Sequence, residues 1–489
     1  MKNYKDIFDK NFDELLETLK KLIAIPSVVG DADGDAPFGK HVQAALEFMH
    51  EKAKADGFDF LNVDNYGGHI DFCGKSDKIV AMVNHLDVVP AGERSNWVSD
   101  PFDMQIRDGK AYGRGTLDNK GPLILCYYAM RALKEAGFEP KKTIRLILGC
   151  DEETAWHGMD YYMEHVSADI SAGFSADADF PVIYGEKGIV HYKIHVPIDN
   201  RTDKKNDDPA SPNTQTGSAE TLPHLVSING GSVMNAVPDK VTVKISTAEC
   251  SNEALLPLYN SIKKYESYGV SILQDNDLMT IVMPGVTAHA AWPESGTNAV
   301  SRICEMLSDV EFDDPAVNEF FAFYEDHIGY ELHGERMGCA LEDEPSGKLT
   351  FNISTIESLS NEIVLGCDVR YPVTFTETNV RNGMSAILNP LGYKLETLKH
   401  QTALYRSPDD PIVATLMDVY KKNTGDAEAK PIAIGGGTYA RAVPNTVAFG
   451  PVMPGTEDLC HQPNEFMALE QMRTAGHIFA DALYELAKE

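Results

Sequence analysis

The stretch VNHLDVVPAG, Val83–Gly92, follows the apolar run KIVAMV, Lys78–Val83, and sets one histidine and one aspartate two residues apart where that run ends. The run is short and apolar, and Pro90 and Gly92 close the segment, so it reads as a buried strand. A side-chain period of two then puts His85 and Asp87 on the same face. Alone, such a pair is most often a capping or solvated pair. Its meaning rests on what the rest of the chain brings to it.

Working outward, strands and helices alternate over residues 1–186. The helical GPLILCYYAMRALKEAG (Gly121–Gly137) precedes the strand TIRLILGC (Thr143–Cys150), the helical HGMDYYMEHV (His157–Val166) and the short strands SAGFSAD and PVIYG. That alternation predicts an α/β class: a mainly parallel sheet with helices on both faces. After GEKG (Gly185–Gly188) the pattern changes. Two strand–helix–strand units follow, one from KVTVKISTAE to VSILQDND and one from NEIVLGCDVRYP to YKLETLKH, so residues 187–402 read as a duplicated α+β domain. Within it, Asp199–Pro223 is nearly devoid of apolar residues and reads as a solvated loop or a disordered insertion. The α/β pattern returns over 403–489, which makes the middle domain an insertion into the first.

A chain of 489 residues is too long for one ordinary core, and 43% hydrophobic with 24% charged residues is a soluble globular composition. The net charge of −31 argues against nucleic acid and anionic membranes as partners, since both demand a basic face. The N-terminal stretch reads as one amphipathic helix, with Ile7, Phe8, Leu15, Leu16, Leu19, Leu22 and Ile23 on its apolar side, rather than as a secretory signal. No apolar run is long enough to span a bilayer. The 8 cysteines are scattered without a C-x-x-C, which suits reduced thiols in a cytoplasmic protein.

Three further acidic clusters lie at strand ends or in the turns after them: Asp118 in GRGTLDNKGP, Glu152 and Glu153 in CDEETAWHG, and Asp177 and Asp179 in FSADADFP. His461 stands in the polar loop GTEDLCHQPNEF. In an open parallel sheet the carboxyl ends of the strands share one crevice, so groups distant in sequence can converge there. His85, Asp118, Glu153, Asp177 and His461 then form a shell of two imidazoles and three carboxylates. It suits two zinc-like ions with one carboxylate bridging. Two divalent ions would balance three carboxylates and a bridging hydroxide. Glu152 is left to take a proton from the attacking water. Cys460, beside His461 in an extended loop, points elsewhere.

The ordered set HLDVVPAG, GRGTLDNKGP, DEE, DADFP, GVTAHAAWPESGTNA and HQPNE resembles the co-catalytic zinc metallopeptidase family of aminoacylases and glutamate-type carboxypeptidases. Within it, GEKG, NAVPD, GGGTYAR and the large insertion resemble the PepV-type dipeptidases. The resemblance covers nearly the whole chain. It implies that His85 and Asp177 hold one ion and Glu153 and His461 the other, with Asp118 bridging. It further implies that Asp87 orients the His85 ring, that Glu152 is the general base, and that the peptide bond after Asp118 is cis. Asn119 stands where most of the family has a second acidic residue. His289 matches the histidine that stabilises the oxyanion, and its place in the insertion implies a lid that closes over the metals. Arg370 matches the arginine that clamps the substrate carboxylate, and Asn235 is a weaker match for an oxyanion or carboxylate contact. In Gly435, Gly436 and Gly437 the missing side chains let backbone amides approach a substrate.

The reading is a zinc-dependent dipeptidase, with manganese or cobalt as alternatives, acting on unblocked dipeptides in the cytoplasm. The inserted domain has room for two copies of a small lid, so the chain is expected to supply its own His289 and act as a monomer. An N-acyl amino-acid deacylase of the same family would use identical chemistry on a blocked nitrogen. A catalytically silent binding protein would retain the fold, but such proteins usually lose a ligand or the base, and every expected position here is filled.

Overall fold

A computed structural model describes residues 2–198, 221–457 and 459–489. The polar stretch singled out above therefore lies, through residue 220, outside the described residues. The chain divides into two compact units, Met1–Glu186 with Leu404–Glu489, and Lys187–Ala403.

The first unit is built on a nine-stranded sheet. At its centre Lys142–Gly149, Ser76–His85, Asp169–Ser175 and Thr446–Ala448 run parallel in that order. The flanks turn antiparallel, Asp59–Val63 with Gly67–Phe72 on one side and Ile183–Glu186 with Leu404–Tyr405 on the other, while Ile432–Ile434 adds a ninth strand parallel to Ile183–Glu186. Period-two alternation separates two cores. Val80, Met82, Leu146 and Leu148 face the helices Lys120–Glu135, Pro411–Thr424 and Leu469–Ala487. Ile79, Ala81, Val83 and Ile147 face Met159 and Tyr162 of the helix His157–His165, together with Tyr439 and Val443. Each such aliphatic side chain fully removed from water is worth roughly 1.5–3 kcal/mol. The sheet is thus covered on both faces, and its parallel centre brings the carboxyl ends of three long strands together.

The N-terminal amphipathic stretch forms two helices, Tyr4–Lys10 and Phe12–Ile23, rather than the single one expected. Asn11 ends the first: its N–H reaches back to the Ile7 and Phe8 carbonyls, and its amide donates to the Glu135 carboxylate at 3.3 and 3.2 Å. The turn lets both apolar faces reach one core. Lys120, fully buried, donates to the carbonyls of Leu22 (3.0 Å) and Ile25 (2.6 Å). A cation at a helix C-terminus satisfies otherwise orphaned acceptors.

The second unit is one eight-stranded sheet, antiparallel throughout, in the order Ser271–Asp275, Leu278–Pro284, Lys240–Ser246, His224–Gly230, Thr350–Ser358, Glu362–Tyr371, Gly188–Pro197, Lys394–Gln401. Both strand–helix–strand units are present, with helices Asn252–Tyr265 and Glu377–Leu388. In the first the two strands flank Leu278–Pro284, and in the second they flank Gly188–Pro197. These helices and Ala299–Ser308 and Pro315–His327 cover a single core.

Candidate metal centre

The site is assembled from the ends of the first unit's parallel strands. Ser76–His85 delivers His85, fully buried, at its last residue. Its Nε2 lies 3.0 Å from Asp118 Oδ1 and 3.6 Å from Asp177 Oδ2. His461 Nε2 lies 3.1 Å from Asp118 Oδ2 and 3.1 Å from Glu153 Oε2. Asp118 therefore turns one carboxylate oxygen to each imidazole. Ligand atoms of His85, Asp118 and Glu153 fall within 4.8 Å of one another, and so do those of His85, Glu152 and Asp177.

Electrostatics set these groups against each other. Burial pulls the His85 ring toward its neutral form, but the Asp177 charge and the Asp118 hydrogen bond outweigh it and hold its pKa well above the usual value. Burial likewise acts against the His461 cation, while Asp118 and Glu153 push its pKa up to about 11. Burial and the Asp118 charge raise Glu153 to about 7, and burial with the Asp177 charge raises Glu152 well above a normal carboxyl. Carboxylates crowded in this way need a positive charge to ionise together.

Metal ions meet that need, and the donors fit them. Glu153 Oε1 is buried with no hydrogen-bond partner among the described residues. An oxygen left bare beside two imidazoles and three further carboxylates suits a hard or borderline divalent cation, because a stranded buried acceptor costs about 1–3 kcal/mol otherwise. His85, Asp118, Glu153, Asp177 and His461 are the residues that could hold such ions, with the Asp118 carboxylate turned to both imidazoles.

The surrounding loops explain the placement. Asp87, fully buried, accepts the Glu152 N–H on Oδ1 (3.1 Å) and the Glu153 N–H on Oδ2 (3.0 Å). The His85 Nδ1–H is nearer the Asp87 backbone carbonyl (2.9 Å) than its carboxylate (3.4 Å). The carboxylate of Asp87 thus anchors the turn that carries the Glu pair, while its backbone orients the ring. The Asp118–Asn119 peptide is cis. Asn119 donates to Asp177 Oδ1 (2.9 Å) and accepts from Asn84 Nδ2 (2.6 Å) and the His85 N–H (3.3 Å). A carboxylate there could not donate to Asp177.

Asp118, Glu152, Glu153, Asp177 and His461 line one cleft of ≈ 650 Å³, with Gly436 and Gly437 on its wall. Gly437 is required by its neighbour: a Cβ there would stand 2.3 Å from Arg441 Nη2. Arg441 is itself fixed by the fully buried Glu186 at 2.9 Å, and Glu186 also accepts from the Thr438 hydroxyl at 2.8 Å. Gly435 lies between two lining residues, Ile434 and Gly436, without itself lining the cleft.

His289, Asn235 and Arg370 belong to the second unit. Asn235 and His289 are both exposed and sit on paired loops, where Ala290 N–H donates to the Asn235 carbonyl at 2.9 Å and Ala236 bridges His289. Arg370 is 3% exposed, and its guanidinium is gripped by Asp368 at 3.1 and 3.2 Å, with His191 on the same carboxylate. Sequence reasoning missed Glu465, Arg114 and the donor role of Asn119. Glu465 lies inside HQPNE, a signal that carried the resemblance but was read only for its histidine.

Such a set of donors in one cleft suits metal-dependent hydrolysis. A family model described as Peptidase family M20/M25/M40 matches residues 81–485. The chain is 34% identical over 481 residues to the Bacillus subtilis (strain 168) protein named "Putative dipeptidase YtjP", covering 97% of this chain and 98% of that one. It is likewise 34% identical over 489 residues to "Putative dipeptidase SSP1012" of Staphylococcus saprophyticus, covering 99% and 100%. Among solved structures, the Saccharomyces cerevisiae di-peptidase Dug1p superposes with TM-score 0.57 at 15% identity, covering 99% of this chain and 98% of that one. Human carnosine dipeptidase 1 superposes with TM-score 0.55 at 15% identity and 99% coverage of both. The chain belongs to the peptidase family M20/M25/M40. It is a hydrolase acting on peptide bonds.

Proposed function

We propose that the protein is a cytoplasmic, two-metal dipeptidase of unblocked dipeptides, acting as a monomer. The observation that carries this reading is Asp118, whose two oxygens face two different imidazoles beside the bare Glu153 Oε1. In this reading His85 and Asp177 would hold one zinc-like ion and Glu153 and His461 the other, with Asp118 serving both. When bound, the ions supply Lewis acidity at the scissile carbonyl and lower the pKa of a water in the cleft. Glu152 takes one proton from the attacking water on a carboxylate oxygen and passes it to the amide nitrogen, so that the carbonyl carbon gains oxygen as it loses the amine. Asp87 holds the turn that aims Glu152.

The inserted unit is proposed to act as a lid. It contributes the His289 imidazole as a donor to the oxyanion, with Asn235 beside it on the paired loop, and the Arg370 guanidinium as a partner of the substrate carboxylate. The choice of dipeptides over other amides is supported by relatives at 34% identity over 97–99% of this chain that carry that name. The test compares one dipeptide in three forms: free, N-acetylated, and extended by one residue. Cleavage of the free form at least tenfold faster than either other supports the reading. Preference for the acetylated form moves the assignment to a deacylase.

A further inference from the structure

The metal-bearing loops are joined by a buried ion pair that touches no proposed ligand side chain. Arg114 and Glu465 are 1% and 0% exposed, with Nη1 and Oε2 2.7 Å apart. Glu465 ends the C-terminal loop that carries His461. Its Oε1 accepts the backbone N–H groups of Gly115 (3.0 Å), Leu117 (2.7 Å) and Asp118 (3.1 Å). Arg114 begins the loop that carries Asp118, and it reaches the other way, with Nη2 3.3 Å from the His461 carbonyl and Nη1 3.4 Å from that of Gln462. Its guanidinium lies over the Trp97 ring at 5.3 Å. Gly115 between them takes φ +93°, a turn that gathers the three N–H groups on one side. Each loop therefore holds the backbone of the other loop's metal-facing residue.

We propose that Arg114 and Glu465 are positioning residues, a reciprocal clamp that fixes the Asp118–His461 side of the metal centre and leaves the His85–Asp177 side to the strand ends. The reasoning is geometric. His461 is 52% exposed in its side chain and stands at φ +65° on a loop, so its ring has little packing of its own to orient it. His85, in contrast, is locked by its strand and by Asp87. A partner one shell out from a ligand commonly controls metal affinity by about 10–100-fold. Here that control falls most heavily on the ion that His461 would hold, because the clamp also grips the His461 backbone, whereas Asp118 is shared. The inference rests on the two-ion reading above.

The test is zinc binding to metal-stripped full-length protein, followed by calorimetry and by competition with a chelating dye. Three proteins are compared: wild type, Glu465→Asp, and the double variant Arg114→Met/Glu465→Gln. Aspartate keeps the charge but, one methylene shorter, cannot serve both Arg114 and the three N–H groups. The double variant removes the buried charges together, so it avoids stranding one of them. In each variant one zinc should bind at least tenfold more weakly than in wild type and the other should lose distinctly less, with the thermal transition still cooperative. Two ions of unchanged affinity in Glu465→Asp overturn the clamp, as does equal weakening of both. A wild-type protein that takes up fewer than two ions overturns the two-ion reading itself, and the clamp's selective role with it.

Discussion

Asp118 and Glu152 carry opposite demands. In the proposed mechanism the first remains an anion between two imidazoles, while the second accepts and releases a proton. Glu152→Gln keeps the side chain's shape and removes the proton acceptor, so kcat should fall by about 10²–10⁴-fold with metal content unchanged. Steady-state kinetics beside elemental analysis checks this, and near-wild-type kcat would remove Glu152 from its role. Asp87 is a different case, because its two oxygens serve two backbone N–H groups. Asp87→Ala strands both, at about 1–3 kcal/mol each, and should lower the melting temperature and kcat together. Loss of kcat without loss of stability would mean that Asp87 acts on His85 alone. The five proposed ligands were legible because each sits at a strand end or in a polar turn, where local pattern marks it. Glu465 was not: its N–H partners lie some 350 residues earlier, and a lone glutamate in a loop carries no local signal of them.

The strand Gly67–Phe72 illustrates what an element adds. Its His69 is buried, with Nδ1 2.9 Å from the Tyr162 hydroxyl and Nε2 3.7 Å from Asp71, which Arg145 pairs at 2.8 Å. Burial, then the Arg145 charge, lowers its pKa from 6.5 to about 4. The unfolded chain therefore binds a proton here at higher pH than the folded one. Stability from this group is complete above about pH 6.5 and drains away as pH falls toward 4. Between pH 7.5 and pH 5 the loss should be about 2 kcal/mol, and His69→Gln should lack that part of the acid slope. Denaturant titrations at both pH values decide it: equal slopes in the two proteins would mean that His69 is protonated in the fold. Such pairings explain where sequence reading stops. Alternating hydrophobicity revealed the strands and helices. The break at Asn11 and the antiparallel flanks of the sheet depend on contacts with Glu135 and with strands far along the chain.

The chain as a whole crosses from one unit to the other at Glu186–Lys187 and again at Ala403–Leu404. Its first unit holds all five proposed metal ligands, and its second holds His289, Asn235 and Arg370. If each chain completes its own site, mixing Glu152→Ala with His289→Ala protein should leave both inactive. Restored activity, up to about a quarter of wild type for random pairing, would instead show that copies exchange the histidine. No helix among the described residues is long and apolar enough to cross a membrane. The proposed sharing of Asp118 between two ions makes the sharpest demand on experiment: metal-stripped protein titrated with zinc while hydrolysis of a free dipeptide is followed. The account predicts negligible cleavage without metal and full rate only as the second equivalent binds. Full activity at one equivalent, or undiminished activity with none, would contradict it.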